Sequence, residues 1–106
     1  MITAEFSIVA ETAEGQRQRD LVRTALEPVE RRGLRHEVEP LGTTIEGELA
    51  DVFAAVQEAH ELVAARSGGR LVTTLRVEDK RGGTSIADKL EGFRSAELEA
   101  HEALEA

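Results

Sequence analysis

The chain has 106 residues, a formal net charge of −8 and no cysteine. This length allows one modest hydrophobic core, the acidic charge disfavours nucleic acid and anionic lipid as partners, and the lack of cysteine excludes disulfides and thiolate metal sites. No run approaches the roughly 20 apolar residues of a membrane-spanning helix, and the N-terminus lacks the pattern of a signal peptide. We therefore expect a single cytoplasmic domain, residues 1–106, that binds neither nucleic acid nor membrane.

The first third of the chain predicts a strand followed by a helix. Residues 3–10 alternate between apolar and polar side chains, which is typical of a half-buried strand. Residues 16–33 then place apolar side chains at helical spacing. Pro28 lacks an amide proton and disfavours helical geometry at the preceding residue, so we expect a kink or a new turn there. Gly33 fits the position just after the end of this helix.

A hairpin is predicted next, and its second strand carries an unusual set of polar side chains. Residues 34–48 contain two alternating runs joined by the tight turn Pro40-Leu41-Gly42. Because strand side chains alternate with a period of two, Thr44, Glu46 and Glu48 share one side of the second strand. That side therefore presents a hydroxyl and two carboxylates, which suits a cation that also carries hydrogen-bonding groups.

A second helix, a fourth strand and a third helix complete the pattern. The helix is predicted over residues 49–66 and the strand over residues 70–79. The apolar stripe of the second helix consists of Val52, Phe53, Val56, Ala59 and Val63. Ser85 and Asp88 resemble a capping box, so we expect a C-terminal helix over residues 84–106, whose last dozen residues either extend the helix or fray.

The order strand, helix, strand, strand, helix, strand predicts an α+β fold of the ferredoxin-like βαββαβ type. Right-handed crossovers place two helices on one face of a four-stranded antiparallel sheet. The helix-facing strand residues are predicted to be Phe6, Ile8, Leu34, Val38, Ile45, Leu71, Leu75 and Val77. The opposite face carries Glu5, Ser7, Glu37, Glu39, Thr44, Glu46, Glu48, Thr74 and Arg76. The extra C-terminal helix lies over this free face or docks on a neighbouring subunit.

The acidic free face has two interpretations. Charged side chains mostly lie in water, so a solvated surface without function is the simpler one. If the face instead packs against another sheet, as Val9 and Val72 suggest, partly buried carboxylates need partners. Such a site is rich in hydrogen-bond acceptors and suits a positively charged ligand with amino donors.

Other candidate sites are weaker. His36, His60 and His101 are not spaced as metal ligands, so we expect no metal site. The segment 80–84, Lys-Arg-Gly-Gly-Thr, precedes a helix and could hold phosphate, but a plain loop is favoured. No serine lies in a recognisable catalytic arrangement with histidine and aspartate, and we expect no catalytic residues.

The run Glu37-Val-Glu-Pro-Leu-Gly-Thr-Thr-Ile-Glu-Gly-Glu48, followed by Val52-Phe53, Ala59-His60-Glu61 and residues 70–77, resembles the small thiamine-binding proteins of the YkoF-like superfamily. The resemblance covers the chain except for its last dozen residues. It implies a cytoplasmic, ferredoxin-like subunit that forms homodimers or homotetramers through sheet-to-sheet and strand-edge contacts. It also implies binding of thiamine or its hydroxymethylpyrimidine moiety as a ligand, without catalysis and without a further cofactor.

The resemblance places the ligand site at Thr43, Thr44, Glu46 and Glu48, with Ser7, Glu37 and Thr74 as neighbours. Thiamine carries a permanent positive charge and an aminopyrimidine, which carboxylates and hydroxyls can bind. The alternative is a regulatory or structural oligomeric module whose sheet face is a protein interface. A third interpretation is an enzyme that uses the same carboxylates as acid and base.

Overall fold

Four alternating segments form one antiparallel sheet in the computed structural model, which describes residues 1–93. The elements in chain order are β1 (Ile2–Ala10), α1 (Gln18–Arg31), β2 (Arg35–Glu39), β3 (Gly42–Gly47), α2 (Leu49–Arg66), β4 (Leu71–Glu78) and α3 (Ile86–Leu90). The strand order is β2-β3-β1-β4, and each neighbouring pair is antiparallel. This is the predicted ferredoxin-like arrangement. Within the described range, no helix is both long enough and apolar enough to cross a membrane.

The core lies between the sheet and the packed pair α1 and α2. It contains Ile2, Ala4, Phe6 and Ile8 of β1, Ile45 of β3, Leu21, Ala25 and Val29 of α1, and Val52, Ala55, Val56, Ala59 and Val63 of α2. Three residues predicted to face this core are instead substantially exposed: Val38, Phe53 and Val77. Val38 and Val77 lie on β2 and β4, the two edge strands, where a neighbouring strand is present on one side only. Phe53 lies on the flank of α2 that overhangs the β4 edge, beside Leu75.

Helix α1 runs without interruption through Pro28, so the predicted new turn does not form there. The proline is buried and costs the helix one backbone hydrogen bond close to its C-terminal end. The helix ends at Arg31, and Gly33 lies just beyond its end as predicted. The φ angle of Gly33 is +67°, its N–H donates to the Glu30 carbonyl at 2.9 Å, and the Leu34 N–H donates to the Val29 carbonyl at 3.1 Å. This pair of bonds satisfies carbonyls that a helix end otherwise leaves free.

Ion pairs join the C-terminal end of α1 to the middle of α2. Arg31 and Arg32 each donate to the Glu58 carboxylate, at 2.8 and 2.9 Å. The hydrogen bonds from Arg32 and Arg31 lower the pKa of Glu58. The contact therefore contributes stability above the pKa that Glu58 has in the unfolded chain, and the contribution is lost as the pH falls through the lower, folded pKa.

The short helix α3 lies over the sheet face that α1 and α2 leave open. The Thr84 hydroxyl donates to the Thr3 hydroxyl of β1 at 2.9 Å, and both residues are buried. The Ile86 N–H donates to the Glu46 carboxylate of β3 at 3.2 Å, and the Ile86 side chain is buried. Of the two predicted positions for the extra helix, residues 86–90 thus occupy the one on the protein's own sheet.

Helix α3 begins at the predicted N-cap residue Ser85, and of the two bonds of a capping box the structure shows the one that the Ser85 side chain accepts. The Ser85 hydroxyl accepts from the Asp88 N–H at 3.1 Å, and Gly82 and Gly83 both have φ angles of +89°, which defines a turn before the helix. Helix α3 ends at Leu90, and residues 94–106 of the predicted range 84–106 lie outside the described part of the chain. The two alternatives for the last dozen residues, extension of the helix or fraying, concern residues outside the described range.

Two separate variants, one at a buried leucine and one at an exposed leucine, test the assignment of the core. Leu21 is fully buried, and Leu21→Ala should lower the free energy of unfolding by about 2–5 kcal/mol, because it removes apolar contacts and leaves a cavity. Leu41 is 91% exposed, and Leu41→Ala should change the free energy of unfolding by less than about 0.5 kcal/mol. Urea unfolding followed by circular dichroism measures both. Equal losses would contradict the packing described.

The hydroxyl pair beneath α3 can be tested by a double-mutant cycle. Thr3→Val leaves the buried Thr84 hydroxyl without its acceptor and should cost about 1–3 kcal/mol. Adding Thr84→Val should recover much of this loss, because replacing both partners by apolar groups of similar shape is nearly neutral. Amide hydrogen exchange of residues 86–90 should accelerate in Thr3→Val and slow again in the double variant. Additive losses would mean that the two hydroxyls do not interact.

Candidate functional site

Strand β3 presents different chemistry on the two faces of the sheet. Thr43 and Ile45 are buried on the helix-facing side, whereas Thr44 and Glu46 are partly exposed on the open side. The alternation follows from the period of two in a strand whose two faces have different surroundings. Of the predicted Thr-Thr-x-Glu residues, Thr43 therefore faces the helices, whereas Thr44 and Glu46 face the open side of the sheet.

The open face is organised in rows that cross all four strands, because antiparallel partners share a face. One row consists of Glu37, Thr44, Glu5 and Arg76, and the adjacent row consists of Arg35, Glu46, Thr3 and Glu78. Ser7 and Thr74 lie opposite each other in the next row. Polar side chains thus occupy most of the open face, as the sequence predicts.

A hollow of about 380 Å³ lies between these rows and α3. Its polar lining consists of Thr3, Glu5, Thr44, Arg76, Glu78 and Lys89. β1, β3 and β4 form the floor, and Lys89 of α3 contributes to the wall. The site is therefore a walled depression on the sheet, of a size that small-molecule ligands use.

The acids of the hollow are paired with bases. Arg76 Nη2 donates to Glu5 Oε1 at 3.1 Å, and Lys89 forms an ion pair with Glu78. All four side chains are substantially exposed to solvent. Exposed ion pairs contribute only about 0–1 kcal/mol, so a ligand can replace either partner at small cost.

Glu46 lies beneath α3 and is held in place there. Its side chain is 11% exposed; one carboxylate oxygen accepts from the Ile86 N–H and the other lies 3.6 Å from Arg35 Nη1. Both contacts favour a single orientation of the carboxylate. Glu46 therefore docks the helix that walls the hollow, next to the lining residues Thr3 and Thr44.

The other predicted site residues lie at different places. Glu37 lies on the far side of α3, in a shallow depression that Arg35 also lines. Glu48 follows the end of β3 as the N-cap residue of α2, and its exposed carboxylate is 3.7 Å from the N-terminal amine. Thr43 and Ser7 line a groove between α1 and the β2–β3 hairpin. The structure brings Thr44 into the hollow and Glu46 to its border, but it does not gather all the predicted residues.

The hollow also uses residues that the sequence prediction of the site did not include. Thr3 and Glu78 are the cross-strand neighbours in the row of Glu46, so a prediction of the strand pairing around Glu46 would have found them. Glu5 lies between Thr44 and Arg76 and could be found in the same way. Lys89 had no such signal, because its position depends on how α3 docks. Among residues 1–93, no group of histidine, aspartate and glutamate side chains could hold a metal ion.

Sequence relatives match nearly the whole chain. A UPF0045 protein of Clostridium perfringens is 27% identical over 95 residues, which cover 89% of this chain and 100% of that protein. A UPF0045 protein of Methanothermobacter thermautotrophicus is 31% identical over 96 residues, which cover 89% of this chain and 97% of that protein.

Solved structures share the fold. A domain of unknown function, DUF77, from Bacillus cereus superposes with a TM-score of 0.77 at 26% identity, covering 87% of this chain and 88% of that chain. A proposed thiamine biosynthesis/salvage protein from Thermotoga maritima superposes with a TM-score of 0.75 at 27% identity, covering 87% and 97%. The model of the family described as thiamine-binding protein matches residues 4–94. The chain belongs to the thiamine-binding protein family.

Proposed function

We propose that the protein binds thiamine or its hydroxymethylpyrimidine moiety in the hollow on the open sheet face, and that it catalyses no reaction. The observation that carries the proposal is the convergence of Thr44, Thr3 and Glu5 in a depression of about 380 Å³ walled by α3. Membership in the thiamine-binding family supports the ligand class. We also propose a cytoplasmic location, which the absence of cysteine fits.

The chemistry of the lining suits this ligand. The Glu5 carboxylate can accept from the pyrimidine amino group or offset the thiazolium charge, and the Thr44 hydroxyl can donate to a ring nitrogen. Arg76 is the more exposed member of its pair with Glu5. A cationic ligand could displace Arg76 from Glu5, since the exposed pair is weak. The hollow then presents acceptors where the ligand has donors and positive charge.

A second subunit would complete the site. Val9 and Val72 are cross-strand neighbours on the same open face, and both are exposed in the single chain. Covering them with an identical face would bury apolar surface and close the hollow from above. We therefore propose a homodimer or homotetramer whose subunits meet near the ligand, with Ser7, Thr74 and Glu37 at the border between them.

The same valines support one alternative, a regulatory or structural module whose open face is a protein interface without a ligand. The two functions differ in what closes the hollow. If side chains of a second subunit fill it, no volume remains for thiamine. A structure of the oligomer at the Glu5–Thr44 row distinguishes them.

Isothermal titration calorimetry with thiamine and with hydroxymethylpyrimidine tests the proposed function. Glu5→Gln should weaken thiamine binding about tenfold, because it removes a charge-assisted contact, and should weaken binding of the neutral pyrimidine less. Glu46→Gln should also weaken thiamine more than the pyrimidine, while retaining an acceptor for the Ile86 N–H. Glu48→Gln should have a smaller effect, because its carboxylate lies outside the hollow.

Glu30→Gln is the matched control for the general loss of one negative charge, since Glu30 is exposed on α1, on the covered side of the sheet. It should leave both affinities unchanged. The absence of binding heat, together with no upward shift of the melting temperature at millimolar ligand, would reject the proposed function. Equal losses in Glu5→Gln and Glu30→Gln would reject the proposed site.

A further inference from the structure

The two basic side chains of the hollow lie on the same side of it. Arg76 extends from β4, and Lys89 of α3 forms an ion pair with Glu78, which lies two residues beyond Arg76 on the same face of β4. The Glu5 carboxylate and the Thr44 hydroxyl belong to β1 and β3. The hollow therefore has an acceptor-rich floor beside a side that carries two cations and one carboxylate.

A cationic ligand would affect the two ion pairs of the hollow differently. Arg76 donates at 3.1 Å to Glu5, the carboxylate that the proposed function assigns to the positive charge of the ligand. Lys89 is paired with Glu78, which the ligand does not need, so Glu78 stays neutralised. A ligand cation at Glu5 therefore leaves Arg76 as the cation that has no partner among the residues that line the hollow.

A guanidinium released in this way can bind an anionic group on the same ligand. The Arg76 side chain is 76% exposed, so it can reorient, and its planar fork matches phosphate oxygens through two parallel hydrogen bonds. A phosphate ester of thiamine carries both a cation for Glu5 and an anion for Arg76. The net charge of −8 disfavours this ester relative to thiamine itself, so a preference for it has to come from these local groups.

We propose that Arg76 is the specificity-determining residue of the hollow and that it selects a phosphate ester of thiamine over thiamine. In the free protein Arg76 occupies Glu5. In the complex the thiazolium takes its place, and the guanidinium binds the phosphate. This inference rests on the proposed binding of thiamine, and it adds the form of the ligand and the residue that recognises that form.

Isothermal titration calorimetry of the full chain with thiamine and with thiamine monophosphate, at physiological salt in a phosphate-free buffer, tests the proposal. The monophosphate should bind about fivefold more tightly, which is the upper range for one exposed charge-assisted contact. Inorganic phosphate alone should bind much more weakly, because Arg76 stays paired with Glu5 when no ligand cation is present. Equal affinities for inorganic phosphate and for the monophosphate would mean a plain anion site and would overturn the proposal.

The variant Arg76→Gln assigns the preference to one side chain. It removes both the competitor for Glu5 and the contact with phosphate, so thiamine should bind slightly more tightly and the preference for the monophosphate should fall from about fivefold to about one. Arg70→Gln is the matched control for the loss of one positive charge. Arg70 is exposed, precedes the opposite end of β4 and lies outside the hollow, so this variant should keep the preference.

The ratio of the two affinities separates a failure of this inference from a failure of the proposed function. A change in stability affects both ligands alike and leaves the ratio unchanged. If neither ligand binds, the proposed function is rejected and this inference is rejected with it. If both ligands bind the unmodified chain equally well, or if the preference survives Arg76→Gln or is lost equally in Arg70→Gln, thiamine binding stands and selection by Arg76 is overturned.

Discussion

Helices α1 and α2 cover one face of the sheet, and this one-sided packing determines what each residue of β3 can do. Ile45 and Thr43 are buried toward the helices, and Thr44 and Glu46 remain on the open side. A shift of the register by one residue would bury the carboxylate and expose the isoleucine, so the hydrophobic core fixes the polar face as well. The open face is therefore a consequence of the core, and residues of one short strand line two cavities of different chemistry.

The docking of α3 converts part of this open face into a walled site. The Thr84–Thr3 hydrogen bond and the Glu46 contact with the Ile86 N–H hold the helix across β1 and β3, and Lys89 extends to Glu78 on β4. The contact of the Glu46 carboxylate with the Ile86 N–H gives this side chain a structural role in docking α3. A carboxylate beside a ligand site can thus be required because it positions the wall, and binding data on Glu46 variants need a measurement of α3 docking beside them.

Much of the fold was predictable because it depends on local patterns. The bounds of α2 agree with the predicted range, and the strands agree within one or two residues, since period-two and helical spacing are properties of contiguous sequence. The exposure of Val38 and Val77 depends on their being in edge strands, which is a property of the sheet as a whole. The site was less predictable because it, too, depends on the arrangement of the whole sheet. Thr44 could be placed on a face, but the contact of Arg76 with Glu5 requires the register of two strands far apart in sequence.

The electrostatics of the hollow explain how an acidic chain could select a cation. The lining contains two carboxylates and two basic groups, so the hollow of a single chain has no excess negative charge. The net charge of −8 acts mainly over distances that physiological salt screens within about 8 Å. If the hollow binds a cation as proposed, selection would arise locally, from exchange of the exposed Arg76 guanidinium for the ligand cation at Glu5. Such an exchange would keep the carboxylate paired, and a cation that also packs against the sheet and hydrogen-bonds to Thr44 would have the advantage over a side chain that returns to water.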